Sequence, residues 1–264
     1  MKAIVLAAGL GERVRPLTEK IPKPMLEVAG RPLIHYPLAM LKRAGITQVA
    51  INVHHLAGEI QRGLRDGKPL GIEITYSPEP TLTGTGGPLN ALRGYFGDET
   101  FVLANSDSIL DLDLSAMIAF HRDRGAMATI GLYKPTDARE YEHIEIDCDA
   151  RIRRMRLIKS RNPLSYNDYP AEPGDIDESS LSWYMYPGVI VLEPAIFELI
   201  PKLPPWALFT GLFGPMVANR LPVFGYVHAG FFRTVDDLKA YEMLRREFET
   251  SPPHFEHLVL PPPG

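Results

Sequence analysis

The chain has 264 residues, 45% of them hydrophobic, enough for one large α/β domain or two small ones with a sizeable core. The net charge of -4 and the scattered basic residues exclude the strongly basic surface typical of nucleic-acid-binding proteins. With Cys148 as the only cysteine, an intramolecular disulfide is excluded and a reducing compartment is expected. No apolar run approaches the roughly 20 residues that span a bilayer, so we expect a cytoplasmic protein without membrane association.

Strands and helices alternate through the first half of the sequence. Short apolar runs predict buried strands, and apolar residues at helical spacing predict helices. The predicted strands are Ala3–Ala7, Gln48–Val53, Gly71–Tyr76, Phe101–Ala104 and Ala126–Leu132. The predicted helices are Pro32–Ala44, Leu56–Leu64, Gly87–Tyr95 and Ser115–Arg124. This alternation is typical of βα units and predicts the α/β class with a mainly parallel sheet.

The second half is less regular. Its predicted elements are a hairpin of Ile144–Asp147 and Ile152–Ile158, a strand Val189–Leu192, and helices Pro194–Ile200 and Val235–Phe248. The segment Ser160–Ser182 is rich in Pro, Asn, Asp and Ser, which predicts a mobile loop or lid. Because no linker marks a boundary, we expect one domain over residues 1–250, followed by a proline-rich tail over residues 251–264.

The first predicted strand leads into a glycine-containing loop, LAAGLGERVRPLTEKIPKP, over residues 6–24. Gly9 and Gly11 lack the Cβ atoms that would keep a ligand away from the backbone N–H groups. Arg13 and Lys23 offer a guanidinium fork and a point charge to phosphate oxygens. The glycine spacing differs from that of a P-loop and of a dinucleotide-binding loop. The segment therefore predicts a triphosphate-binding loop of another kind.

Asp107 follows the predicted strand Phe101–Ala104 in the sequence Asn-Ser-Asp. A carboxylate just beyond the C-terminal end of a central strand lies where open α/β sheets bind their ligands. Magnesium prefers a few carboxylates together with substrate phosphate oxygens. Asp107 is thus a candidate magnesium ligand, with a turn-forming role as the alternative. His54 and His55 are adjacent on an extended chain and point to opposite faces, which disfavours a metal-binding pair.

The motifs together resemble those of the sugar-1-phosphate nucleotidyltransferases. The resemblance rests on AAGLGERVRPLTEKIPKPML, GRPLI, SPE, GTGGPL and NSD, and it covers about residues 1–135 well and the remainder loosely. It implies a Rossmann-like, three-layer α/β sandwich with a mainly parallel mixed sheet. It also implies a nucleotide-binding half over about residues 1–135 and a sugar-phosphate-binding half over about residues 136–250. Self-association into a homo-oligomer is common among proteins of this kind.

The resemblance also implies substrates and residue roles. The substrates are a nucleoside triphosphate and a sugar 1-phosphate, with Mg²⁺ as cofactor. Arg13 would stabilise the leaving pyrophosphate, Lys23 would bind phosphate near the reacting centre, and Asp107 would bind Mg²⁺. The implied nucleotide contacts are Leu6, Ala7, Ala8, Gly9, Gly11, Glu79, Gly86 and Gly87, and the implied sugar-phosphate contacts are Lys159 and Gly188. Guanylyl transfer to mannose 1-phosphate and uridylyl transfer to a related sugar both remain open, as does a phospho-alcohol acceptor.

The chain departs from the family pattern at the second metal ligand. The family usually has a late Asp in a segment of the form W-x-D-[VI]-G-T. Thr234 stands in that place here, with Asp236 two residues later. A hydroxyl is a poor substitute for a carboxylate on magnesium. Asp236 is predicted to supply the charge instead, on the condition that the segment stays extended so that both residues face the same side.

Two further departures affect the predicted sugar site. Glu142 follows Tyr141 where the family often has a glycine, and Ile158 precedes Lys159 where it has a glutamate. Each removes a group that sugar binding would use. A second hypothesis is therefore a regulatory subunit that binds nucleotide sugars and has lost efficient catalysis, whereas Arg13, Lys23 and Asp107 favour an active enzyme.

Overall fold

The computed structural model describes residues 1–135, 143–158, 166–170, 178–204 and 206–250. These residues form two compact units whose segments interleave along the chain. The first unit contains the described parts of Met1–Leu82, Phe101–Leu114 and Gly230–Gly264, and the second contains those of Thr83–Thr100 and Ser115–Ala229. No helix among the described residues is both long and apolar enough to cross a membrane.

The strands and α-helices are numbered in chain order. The strands are β1 Lys2–Leu6, β2 Glu27–Val28, β3 Arg31–Pro32, β4 Gln48–Val53, β5 Glu73–Pro78, β6 Phe101–Asn105, β7 Ser108–Leu110, β8 Ala128–Tyr133, β9 His143–Ile146, β10 Ile152–Ile158, β11 Tyr166–Pro170, β12 Ser182–Tyr184, β13 Val189–Leu192, β14 Val223–His228 and β15 Phe232–Thr234. The α-helices are α1 His35–Arg43, α2 Ala57–Leu64, α3 Gly87–Ala91, α4 Arg93–Phe96, α5 Leu114–Asp123, α6 Gly214–Ala218 and α7 Leu238–Thr250.

The first unit is built on four parallel strands in the order β6, β1, β4 and β5. β1 pairs with β4 on one side and with β6 on the other, and the central residues of all three strands are fully buried. Burial on both faces explains why these strands are continuous apolar runs. Because the strands are parallel, their C-terminal ends lie at one edge of the sheet, and the loops that follow them meet there.

A second core in the first unit lies beneath the loop after β1 and includes α7. Its buried residues are Val14, Leu26, Val28, Leu33, Tyr36, Ile109, Val235, Tyr241, Leu244 and Phe248. Tyr36 donates its hydroxyl proton to the carbonyl of Val28 at 2.9 Å, and Tyr241 donates to the carbonyl of Glu27 at 3.0 Å. The last described helix thereby fixes the loop that the sequence predicted to bind phosphate.

The strands of the second unit pair in two groups. In one, β8 pairs in parallel with β14 and antiparallel with β13. In the other, β9 and β10 form an antiparallel pair flanked by β12 and β11. The predicted α/β class with a mainly parallel mixed sheet is confirmed, as is the hairpin of β9 and β10.

Several predicted boundaries were wrong for local reasons. The closing helix begins at Leu238 rather than Val235, because Asp237 caps it by accepting a hydrogen bond from Ala240 N–H at 2.8 Å. The third strand begins at Glu73 because Gly71, with φ +71°, ends a short 3-10 turn. The predicted helix Pro194–Ile200 is a 3-10 helix over Pro194–Glu198. The predicted lid contains the strand β11, although part of it lies outside the described residues.

We predict that stability falls as the pH is lowered through the ordinary range of histidine. Burial lowers the pKa of His35 below its usual 6.5, and the charge of Arg31 lowers it further. The unfolded chain therefore takes up this proton at a higher pH than the folded protein does. The stabilisation is fully present above about pH 6.5 and is lost as the pH falls towards the folded pKa. Urea unfolding between about pH 7.5 and pH 5 measures this loss.

The variant His35→Gln should lose part of this pH dependence, and Arg31→Gln should lose a smaller part. If His35→Gln unfolds with the same pH dependence as the parent protein, the titration of His35 does not contribute to stability.

Candidate functional site

The loop that follows β1 is tied to β4 and β5 by a buried polar contact. The backbone N–H of Ala7 donates to Asn52 Oδ1 at 2.8 Å, and Asn52 Nδ2 donates to Glu79 Oε1 at 2.6 Å. A backbone N–H can only donate, so the orientation of the Asn52 amide is determined by its partners. Asn52 thus joins the start of the loop to a carboxylate just beyond β5.

Glu79 is 9% exposed and has one oxygen without a partner among the described residues. Its backbone is held on both sides, since its N–H donates to the carbonyl of Val53 at 2.9 Å and its carbonyl accepts from His54 Nδ1 at 2.7 Å. A buried acceptor with no donor costs about 1–3 kcal/mol. This oxygen is therefore a candidate acceptor for a donor that the described residues do not supply.

The adjacent histidines hold loops in place. His54 bonds to the carbonyl of Glu79, and His55 Nε2 bonds to the carbonyl of Thr18 at 2.7 Å. A carbonyl oxygen accepts, so each ring nitrogen in these contacts carries a proton. A protonated nitrogen cannot bind a metal ion. Metal binding through these two nitrogens, which the sequence disfavoured, is incompatible with the observed contacts.

The two glycines of the loop have different roles. Gly9 is exposed, and no atom lies within 4 Å of the position that a Cβ would occupy. Gly11 has φ +64°, and a Cβ there would lie 2.8 Å from Thr18 Cγ2. Thr18 also donates its hydroxyl proton to the carbonyl of Gly11 at 2.8 Å. Gly9 therefore leaves open space beside its backbone, whereas the missing Cβ of Gly11 makes room for Thr18. The nucleotide contacts expected of both glycines stay predictions.

Lys23 and Asp107 form an ion pair at the sheet edge. Lys23 begins the short 3-10 helix Lys23–Met25, and Asp107 lies in the turn between β6 and β7. Their side chains are only 15% and 24% exposed, and Lys23 Nζ contacts Asp107 Oδ2. The turn is fixed to β1 because the N–H of Ser106 donates to the carbonyl of Leu6 at 3.2 Å. The structure thus brings together two of the three predicted catalytic groups.

The late segment with the absent aspartate lies against Asp107. The N–H of Val235 donates to the carbonyl of Asp107 at 3.1 Å, and Thr234 Oγ1 lies 3.4 Å from the same oxygen. Thr234 is paired with Ser108 in the two-stranded β7–β15 sheet, and Val235 is fully buried in the second core. Thr234 therefore stands beside Asp107, where the family carries its second carboxylate.

Asp236 approaches the same place from two residues further along the chain. Burial raises the pKa of its carboxyl, and the negative charge of Asp107 raises it further, while the positive charges of Lys23 and Arg13 lower it. Asp236 Oδ1 lies 3.6 Å from a guanidinium nitrogen of Arg13, and because the Asp236 side chain is 41% exposed, its burial is only partial. Two carboxylates and two cations therefore form one electrostatic cluster, which we call the charge cluster: Arg13, Lys23, Asp107 and Asp236.

The charge cluster fits a hard divalent cation in its donor chemistry. Among the described residues, no group of three or more His, Cys, Asp or Glu side chains is arranged to hold a metal ion. Mg²⁺ is commonly bound by one or two carboxylates, with water and substrate phosphates completing the six ligands. Asp107 and Asp236 meet that smaller requirement, and the charge of Asp107 adds to burial in raising the pKa of Asp236.

The remaining predicted residues belong to the second unit or lie outside the described residues. Gly86 donates its N–H to the carbonyl of Trp206 at 2.6 Å, and a Cβ on Gly87 would collide with Thr83 Oγ1. The backbone N–H of Gly86 is therefore bonded to Trp206, and the nucleotide contacts expected of Gly86 and Gly87 stay predictions. Gly188 is buried with φ +107°. Lys159, Tyr141 and Glu142 lie outside the described residues.

Asn52 and Trp206 are the residues that the sequence analysis missed. Asn52 is the one amide in the buried part of strand β4, among apolar neighbours, and it is only 4% exposed. A buried amide in such a strand must have hydrogen-bond partners, so its presence was an available signal. Trp206 contacts the segment from Thr83 to Gly86 although it lies far along the chain. Its backbone N–H donates to the carbonyl of Thr83 at 2.8 Å. No local pattern indicates that contact.

Comparisons with known proteins agree with the motifs. A family model described as nucleotidyl transferase matches residues 2–156. The UTP–glucose-1-phosphate uridylyltransferase of Synechocystis is 34% identical over 239 residues, which are 85% of this chain and 57% of that protein. The N-acetylmuramate α-1-phosphate uridylyltransferase of Neisseria meningitidis is 48% identical over 118 residues, which are 44% of this chain and 51% of that protein. The chain thus spans little more than half the length of these curated relatives.

The fold is also found in solved structures. A Bacillus anthracis protein assigned as a glucose-1-phosphate thymidylyltransferase superposes with a TM-score of 0.72, covering 98% of each chain at 19% sequence identity. At this identity the likeness concerns the fold alone. It confirms the Rossmann-like α/β fold that the motifs implied.

We predict that the contact between Asn52 and Glu79 tolerates an exchange of its amide and its carboxylate between the two positions, but not a second carboxylate. Asn52→Asp places a second carboxylate against Glu79 and should lower the free energy of unfolding by about 2 kcal/mol or more. Adding Glu79→Gln supplies an amide that donates to the new carboxylate, which still accepts from the N–H of Ala7. The double variant should therefore recover more than half of the loss in urea unfolding.

A matched control lies on the same two strands. Gln48 Nε2 donates to Glu73 Oε2 at 3.3 Å in solvent, so Gln48→Glu creates the same like-charge pair where water screens it. Its cost should stay below about 0.5 kcal/mol. Equal losses at the two positions, or no recovery in the double variant, would show that the buried contact is unimportant.

Proposed function

Because the chain belongs to the sugar-1-phosphate nucleotidyltransferase family, we propose that it transfers a nucleoside monophosphate from a nucleoside triphosphate to a sugar 1-phosphate. The observation that carries the proposal is the charge cluster at the edge of the parallel sheet, beside the open backbone at Gly9. It combines two phosphate-binding cations with two carboxylates suited to Mg²⁺. The products are a nucleoside-diphosphate sugar and pyrophosphate.

The proposed reaction is a direct displacement at phosphorus. An oxygen of the sugar phosphate attacks the α-phosphorus and forms a new P–O bond. The bond from the α-phosphorus to the oxygen shared with the β-phosphorus breaks, and pyrophosphate leaves with the electron pair. Such chemistry depends mainly on positioning and charge neutralisation. Lys23 binds phosphate near the reacting centre, and Arg13 stabilises the departing pyrophosphate.

Mg²⁺ is the proposed cofactor, with Asp107 and Asp236 as its protein ligands. When bound, Mg²⁺ supplies positive charge next to the phosphate oxygens. Thr234 positions the carbonyl of Asp107 through its hydroxyl and takes no part as a ligand, because a hydroxyl is a weak ligand for this ion. Burial of Val235 fixes the link between Thr234 and Asp236, and the charge of Asp107 acts on the carboxyl of Asp236.

The nucleotide is proposed to lie along the backbone from Leu6 to Gly9, with Glu79 facing the base. The sugar phosphate is assigned to Lys159 and Gly188. Uridylyl transfer is the leading version, since both curated relatives described above carry uridylyltransferase names. Guanylyl transfer to mannose 1-phosphate is the next candidate. The free, exposed Cys148 supports a reducing compartment such as the cytoplasm, and a homo-oligomer is proposed by analogy with the family.

The first experiment is pyrophosphate release by the purified protein with Mg²⁺. Four nucleoside triphosphates are crossed with a panel of sugar 1-phosphates. We expect at least one productive pair, and Lys23→Ala should lower its turnover by about 100-fold or more because the phosphates lose a fixed cation. The control Lys20→Ala removes an exposed lysine of the same loop and should leave turnover unchanged. Turnover that survives Lys23→Ala would contradict the assignment of Lys23.

A second candidate function is a regulatory subunit that binds nucleotide sugars. Thr234 in place of the usual carboxylate favours it, because catalysis needs that carboxylate more than the binding of a nucleotide sugar does. The absence of pyrophosphate release with every substrate pair, together with a rise in melting temperature on adding a nucleotide sugar, would support this candidate. Turnover with any pair would reject it.

We predict that the second carboxylate can be moved from position 236 to position 234, where the family usually has it. Asp236→Asn should raise the Mg²⁺ concentration needed for half-maximal turnover by about tenfold, because one of two carboxylate ligands is lost. Adding Thr234→Asp should lower that concentration again. The control Asp237→Asn removes the same charge one residue away and keeps the helix cap, since Asn caps as well as Asp. An unchanged Mg²⁺ dependence in Asp236→Asn would exclude Asp236 as a ligand.

A further inference from the structure

The charge cluster is neutralised by its own members. Lys23 is paired with Asp107, and Arg13 is paired with Asp236 at 3.6 Å. Among the residues the structure describes, neither cation has another ion-pair or hydrogen-bond partner. Both groups proposed to bind phosphate are thus held by the two groups proposed to bind Mg²⁺.

This pairing sets a competition at the site. The two cations and the two carboxylates carry a net charge of zero, so an incoming triphosphate meets no excess of positive charge. It must also approach two carboxylates, which repel it. A divalent cation bound to Asp107 and Asp236 would cancel their charge and leave both cations available to phosphate oxygens.

We infer that Asp107 and Asp236 keep the phosphate-binding cations occupied until a divalent cation takes the carboxylates. The inference rests on the proposed function and concerns the regulation of the same site. Asp236 is a positioning residue for Arg13: it holds the guanidinium at the cluster in the absence of ligand and opposes the binding of anions. The binding of triphosphate then depends on Mg²⁺ for a reason that lies in the protein, in addition to any ion carried by the nucleotide.

The two pairs differ in how easily they open. The side chains of Arg13 and Asp236 are 71% and 41% exposed, so water and salt weaken their attraction. The Lys23–Asp107 pair is more buried, and Asp107 is fixed through its carbonyl by the N–H of Val235. Arg13 is therefore the cation that exchanges partners most readily, and its pair with Asp236 is the one to test.

The test measures binding of inorganic tripolyphosphate by titration calorimetry in EDTA at constant ionic strength. Without metal, Asp236→Asn should bind this anion about fivefold more tightly than the parent protein, because a competing carboxylate is removed. The control Asp237→Asn removes an equal charge from an exposed position and should change the affinity by less than about twofold.

A double-mutant cycle separates the ion pair from a general change of charge. Arg13→Gln should weaken metal-free binding only slightly in the parent protein, where Asp236 occupies Arg13, and more strongly in Asp236→Asn, where Arg13 is released. Equal losses in the two backgrounds, or weaker binding by Asp236→Asn than by the parent protein, would overturn the inference. These measurements need no turnover, so a protein that fails the pyrophosphate assay can still pass or fail this test.

Discussion

The hydrogen bond from Val235 N–H to the carbonyl of Asp107 is the contact on which the candidate site depends. It joins the turn after β6 to the segment before α7, and the side chain of Val235 is buried in the core that also holds the loop after β1. Burial of Val235 on one side leaves Thr234 and Asp236 to face Asp107 on the other. Three segments distant in sequence therefore meet with little freedom, because moving any one of them would expose apolar surface.

Electrostatics explain why such a cluster is tolerated without a ligand. Burial and the negative charge of Asp107 both raise the pKa of Asp236, and each of the two carboxylates is paired with one cation. The arrangement is stable because its charges balance, and it can respond to ligands because one of its pairs is exposed. Because the charges balance and the Arg13–Asp236 pair is exposed, the binding of an anion at the site depends on whether a cation has bound before it.

Glycine-rich segments in this protein serve packing as well as binding. Gly11 makes room for Thr18, and Gly86 makes room for the backbone of Trp206, whereas Gly9 opens to solvent. All three stand in motifs where glycine indicates an approach of ligand to backbone. The physical requirement is the same in each case, a close approach without a Cβ, but the approaching group differs.

The sequence by itself determined the alternation of the longer strands and helices in the first half and the parallel sheet class, and it predicted a phosphate-binding loop after β1. These follow from local rules: apolar runs of strand length, helical periodicity and the placement of Arg13 and Lys23 after two glycines. Most boundaries that failed lie where capping decides, as at Asp237, whose side chain sets the start of α7. Even the family resemblance was carried by such local patterns.

The tertiary structure alone decided which groups meet. The ion pairs of Lys23 with Asp107 and of Arg13 with Asp236 join residues far apart along the chain, and so does the contact between Asn52 and Glu79. Whether Asp236 could replace a carboxylate at Thr234 depended on the path of the backbone through Val235, which burial of one apolar side chain determines. Local sequence records the chemistry that each residue can perform, but distances between segments arise only when the whole core is packed.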